Sequence, residues 1–142
     1  MPVEDVKILF ENPPIISEVR DIFRLPPGMI FAYSPFIYNP SRMPIDEHLY
    51  KHECHHIQQQ GNDPAKWWRR YLSDSPFRAR QEIPAYQIQY QSVKRIAKDR
   101  NKLHNYLVAL AKDLSGEMYS NLMTFNEAMD AIKNPKLFDF KV

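Results

Sequence analysis

The 142-residue sequence contains one cysteine, three glycines and no apolar run long enough for a membrane span. One cysteine excludes an intrachain disulfide framework and fits a reducing compartment. Spanning a bilayer takes roughly 18–20 consecutive apolar residues, and no stretch approaches that. Charge of one sign is also scarce. Lys and Arg total 19 against 17 Asp and Glu, a net +2, too little to make nucleic acid or an anionic membrane the main partner. The opening MPVEDVKILFENPP carries acidic residues and only a short apolar stretch, so it does not read as a signal peptide. These absences together lead us to expect a soluble, cytoplasmic protein.

Proline, by contrast, is plentiful. Twelve prolines against three glycines imply many short elements with stiff connections. An apolar fraction of 44% over this length is enough for one domain of ordinary size with a real core. Without repeats or a dividing linker, residues 1–142 read as a single domain.

The pattern along the chain is α+β, a small N-terminal sheet followed by helices. VKILF (6–10) is a short β-like run. PPIISEVRDIF (13–23) starts on proline and spaces Ile15, Ile16, Val19, Ile22 and Phe23 as a helix does. MIFAY and PFIYN (29–33 and 35–39) are aromatic runs with a proline between them, fitting an edge strand or a hairpin. Asp46 or a neighbour can cap a helix running to about Gln60, with Gly61 as its stop. Asp63-Pro64 and SDSPF (73–77) open two more helices. In the second, Ala79, Ile83, Tyr86, Tyr90, Val93 and Ala97 form an apolar stripe, with Pro84 in the first turn or at a kink. Leu103, Leu107, Leu110 and Leu114 make another stripe, and Thr124 to Glu127 spells a capping box before a last short helix.

The chemistry concentrates at HECHHIQQQ, residues 52–60. Residues four apart on a helix lie one above the other, so His52 and His56 can offer two imidazoles to one ion. Glu53, one step on, is placed to reach a water beside that ion rather than to ligate it. This spacing suits zinc-assisted hydrolysis, in which zinc acidifies a water and the glutamate takes its proton. A catalytic zinc takes three protein ligands, so a third must come from elsewhere. Asp63, Asp74 and Glu82 are the nearby downstream carboxylates. Helix capping accounts for the two aspartates. Glu82 borders an apolar stripe, where an unpaired carboxylate is costly, and is the favoured third ligand. Tyr86, four residues on, can orient a ligand through its hydroxyl. Tyr71, Tyr86, His104 and Tyr119 are all candidates to hold an oxyanion, and the sequence does not choose among them.

Three rivals sit close by. His48 extends the histidine stripe by one turn but lies too far along the helix to share the ion easily. His55 could pair with His52 at the expense of the Glu53 geometry. Cys54 points off the histidine face and reads as a small buried hydrophobe. KWWRRY (66–71) mixes aromatic and basic residues, yet a core face of Trp67 and Tyr71 with Arg69 and Arg70 in solvent explains it better than nucleic-acid binding. The three glutamines at 58–60 are expected to finish the helix and bond loop backbone.

HECHH followed by EIPAY resembles the gluzincin group of zinc metallopeptidases, in which a glutamate on a second helix completes H-E-x-x-H. The longer pattern from FIYNPS through WWRRYL to EIPAY, about residues 29–90, is similar to small single-domain peptidases of phage type. The resemblance implies a zincin-like fold, one Zn²⁺ on His52, His56 and Glu82, Glu53 as general base, and a peptide or protein substrate. It implies a strand within residues 29–38 that borders the cleft and pairs with extended substrate. The group often has aspartate four residues after the third ligand, where this chain has Tyr86, and Pro84 is a second departure. The group's large C-terminal subdomain is absent or reduced to residues 99–142, and no detachable segment is expected before residue 29. Two rival classes stand beside this reading: a non-enzymatic interaction module with a structural zinc closed by His55 or Cys54, and a metal-free helical binding module.

Overall fold

A computed structural model describes residues 6–134. Residues 135–142, the end of the stretch set against the gluzincin C-terminal subdomain, lie outside the described residues. The architecture is α+β and mostly helical: three short strands and six α-helices among the described residues. No helix among them is long and apolar enough to cross a membrane. The chain divides into two compact units, residues 1–73 and 74–142.

The first unit holds the sheet. Strand β1 (Ile8–Leu9) leads through helix α1 (Ile16–Ile22) to the hairpin β2 (Phe31–Tyr33) and β3 (Phe36–Tyr38). The order is β1-β3-β2, with β1 parallel and β2 antiparallel to β3. The hairpin form is therefore the one adopted by the aromatic runs, and β2 is an edge strand. After β3 the buried Asn39 side chain brackets the turn, donating to the Met43 carbonyl at 2.8 Å and accepting from its N–H at 3.0 Å. That turn feeds helix α2 (Glu47–Gln60), capped by Asp46, whose carboxylate accepts from the Leu49 N–H at 3.0 Å. Gly61 ends it at φ 59°, a conformation that L side chains rarely adopt.

Helix α2 packs on the sheet through Cys54 and Ile57, which join Ala32 and Ile37 in one buried cluster with Val6, Ile8, Ile45 and Tyr50 around it. Ile37 on the central strand is fully buried. Its terminal residue, Gln60, then reaches the free edge of β2. The Gln60 amide donates to the Ala32 carbonyl at 2.8 Å and accepts from the Ser34 N–H at 2.7 Å. A neighbouring strand would make the same two bonds. Helix α3 (Pro64–Ser73) adds the Trp68 indole N–H to that carbonyl at 3.0 Å. One face of the edge is thus closed by side chains, a recognised protection for exposed strands. On α3, Trp67, Trp68 and Tyr71 are buried while Arg69 and Arg70 are exposed.

The second unit is helical. Helix α4 (Ser75–Ile96) is capped by Asp74 and packs with α5 (Arg100–Leu114), a 3₁₀ turn (Glu117–Tyr119) and α6 (Phe125–Lys133). Pro84 falls in the interior of α4 rather than in its first turn. Asp99 caps α5 through the Asn101 and Lys102 N–H groups, separating two helices at a place the sequence marks only by charge. Both halves of the Thr124–Glu127 capping box are formed. Ala79, Ile83, Tyr90, Leu107, Leu110, Leu114 and Ile132 lie in one core, with Leu103 and Tyr86 packed against it. Hence the apolar stripes of the two helices face each other as far as Tyr90, while Ala97 is the exposed C-cap beyond α4.

Candidate metal centre

Helix α2 presents its histidines one turn apart, and both are buried, His52 at 6% and His56 at 4% exposure. Their Nε2 atoms are 3.2 Å apart. Two imidazole nitrogens on a tetrahedral zinc, each about 2.05 Å from the metal, stand roughly 3.3 Å apart. The pair thus has the separation that two ligands of one ion require. Without an ion, the same distance calls for one shared proton.

The other side of His56 is tied down. Its Nδ1 lies 2.8 Å from Oε1 of Gln59, one turn further along α2. An amide oxygen only accepts, so the Nδ1 carries the hydrogen and the Nε2 presents a lone pair. Metal-ligating histidines regularly donate their second ring N–H in this way. The Trp67 ring backs His56 at a centroid distance of 5.4 Å and stacks on Tyr71 at 4.8 Å, so the imidazole is walled by aromatic surface.

Glu53 is buried at 8% and Glu82, on α4, at 7%. Carboxylates are seldom this buried without a partner that holds their charge. Among the described residues one group of three offers metal-ligand atoms that all lie within 4.8 Å of one another: His52, His56 and Glu82. A set of two neutral imidazoles and one carboxylate is a zinc donor set, with one negative charge against two positive. Tyr86, one turn beyond Glu82, is half-buried with its ring against the core of the second unit.

The neighbouring side chains have other engagements. Asp63 accepts from the Lys66 N–H at 3.1 Å and Asp74 from the Phe77 N–H at 3.0 Å, both as helix caps. His48 pairs with the cap residue Asp46 at 2.8 Å. Cys54 lies in the apolar cluster under the sheet, where burial is the main cause raising its thiol pKa and the Glu53 charge adds to the rise, against a hydrogen bond with Tyr50 that lowers it. His55 is half-buried and His104 exposed, while Tyr71 and Tyr119 are buried. Gln59 and Gln60 carry more than a helix end. Gln60 bonds loop backbone at Ser34 as expected and, beyond that, the Ala32 carbonyl of strand β2, while Gln59 holds His56. Its i+3 spacing from the histidine was the available signal. Glu82 is joined on a buried polar face of α4 by Arg78, Gln81, Gln89 and Ser92, and these four were not evident beside that helix's apolar stripe.

Comparison with protein-family models, with curated proteins and with solved structures gives no match for this chain.

Proposed function

We propose that this chain is a zincin-like, zinc-dependent hydrolase acting on peptide bonds, with His52, His56 and Glu82 as ligands and Glu53 as general base. The observation that carries the reading is the convergence of three buried ligand side chains of the right chemistry within 4.8 Å. Support also comes from the 3.2 Å Nε2 separation and from the position of Glu53 directly beside His52 on the same helix. Zinc at this site would supply Lewis-acid polarisation of a water and of a peptide carbonyl. His52 and His56 serve as neutral donors, and Glu82 contributes the one negative charge, leaving the site electrophilic. Glu53 accepts the water proton and passes it to the leaving nitrogen. Its burial keeps bulk water from competing for that proton. Tyr86 remains the candidate for orienting Glu82 or steadying developing negative charge on the carbonyl oxygen.

A non-catalytic interaction module with a structural zinc is the second reading. The observation favouring it is that Glu53 is as buried as the three ligands. The decisive experiment is elemental analysis of protein purified without a histidine tag or added zinc. The expected result is one zinc per chain, removable by chelator and restored on titration. No zinc as isolated and none taken up would overturn the metal reading. With zinc present, perturbation of a cobalt-substituted spectrum by a hydroxamate favours the hydrolase, and an inert spectrum favours the structural site.

A further inference from the structure

We propose that Gln59 is the positioning residue that fixes which nitrogen of His56 faces the metal and limits how tightly that metal is held; this rests on the zinc reading above. The geometry is local and specific. His56 Nδ1 stands 2.8 Å from Gln59 Oε1, and His56 Nε2 stands 3.2 Å from His52 Nε2. A neutral imidazole has one N–H and one lone pair, so donation to Gln59 leaves the lone pair on Nε2. In the metal-free chain the 3.2 Å contact then requires the proton on the His52 nitrogen. His56 is therefore in its ligating tautomer before any ion arrives.

The identity of the acceptor matters as much as its place. A carboxylate in this position would draw the Nδ1 hydrogen more strongly and make Nε2 a better donor. It would also add negative charge to surroundings that already contain Glu53 and Glu82. The amide holds the same tautomer without either effect. Gln59 thus orients His56 while leaving the ion more electrophilic and more exchangeable than a carboxylate would.

Zinc affinity by chelator competition on the full chain tests this with the parent, Gln59→Met and Gln59→Glu. Methionine keeps the side-chain length and removes the acceptor, and glutamate restores an acceptor with charge. The expected order is Gln59→Glu tighter than parent, with Gln59→Met weaker by about 10- to 100-fold, the range typical for removing such a partner. A second readout needs no metal: ¹⁵N NMR of the apo protein should place the His56 hydrogen on Nδ1 in the parent and in Gln59→Glu, and lose that single-tautomer signature in Gln59→Met. If the parent binds one zinc and Gln59→Met binds it within twofold, the role of Gln59 is refuted while the zinc reading stands. If the parent takes up no zinc, the zinc reading fails and this proposal with it. A Gln59→Met variant that melts early but keeps parental zinc affinity and tautomer also overturns the proposal, since it assigns the residue to stability alone.

Discussion

Replacing Gln60 with alanine tests how helix α2 is anchored at its end, where the side chain replaces a missing strand. The Gln60 amide makes two backbone bonds, from its own Nε2 to the Ala32 carbonyl and from the Ser34 N–H to its Oε1. Alanine leaves the Ser34 N–H without that acceptor. The Ala32 carbonyl keeps the Trp68 indole at 3.0 Å. Losing the partner of this partly buried N–H together with the packing of the buried Gln60 side chain costs about 1–3 kcal/mol, so Gln60→Ala should destabilise by about 2 kcal/mol. At this chain length each kcal/mol moves the midpoint by roughly 2–4 °C, so a fall of about 4–8 °C is expected in thermal unfolding followed by circular dichroism. Gln58→Ala, at an exposed position on the same turn, should stay within about 0.5 kcal/mol. The shared carbonyl gives a sharper test. Trp68→Phe leaves Gln60 on Ala32, and Gln60→Ala leaves Trp68, but the double variant leaves the carbonyl bare. The double should exceed the sum of the singles by about 1 kcal/mol. Simple additivity, or a Gln60→Ala midpoint equal to that of Gln58→Ala, would refute the account of the protected edge.

Glu53→Gln should retain the parental zinc content and lose hydrolysis of a peptide library by 100-fold or more, the usual scale for removing a general base; a variant as active as the parent would remove Glu53 from the mechanism. Glu82→Ala should weaken zinc binding far more than Asp63→Ala or Asp74→Ala, measured by the same chelator competition, because both aspartates are occupied as helix caps. Thr124→Ala should cost about 1 kcal/mol through loss of the cap. The Glu127 carboxylate accepts from the Thr124 backbone N–H, which holds its pKa below the ordinary value of 4.5. A depressed folded-state pKa stabilises above the unfolded value, so this contribution is complete above pH 4.5 and fades as pH falls through the folded value. Acid unfolding of Glu127→Gln should therefore show a smaller loss over that window than the parent. Leu114→Ala, at a fully buried core position, should cost about 2–5 kcal/mol in denaturant unfolding.

Much of this was legible in the sequence because it is local. Helix starts depend on a capping side chain and the next turn, and Asp46, Asp63, Asp74 and Thr124 all cap as their neighbours imply. The meeting of His52 and His56 follows from a four-residue spacing on any α-helix. The burial of Cys54, Trp67 and Tyr71 follows from which side of a helix each occupies. The tertiary structure decided what depends on chain segments far apart. Nothing near Gln60 or Trp68 in sequence points to Ala32, 28 and 36 residues away, yet both satisfy its carbonyl. The position of Pro84 was ambiguous because a proline fits a first turn or an interior kink equally on local grounds; it lies inside α4, which begins at Ser75 behind its Asp74 cap. The polar face of α4 escaped notice because burial of Arg78, Gln81 and Gln89 is set by surroundings, and residue type alone assigns them to solvent. Short-range geometry thus determined the helices and the histidine pair, whereas which polar groups became buried, and against what, was fixed only when distant segments folded together.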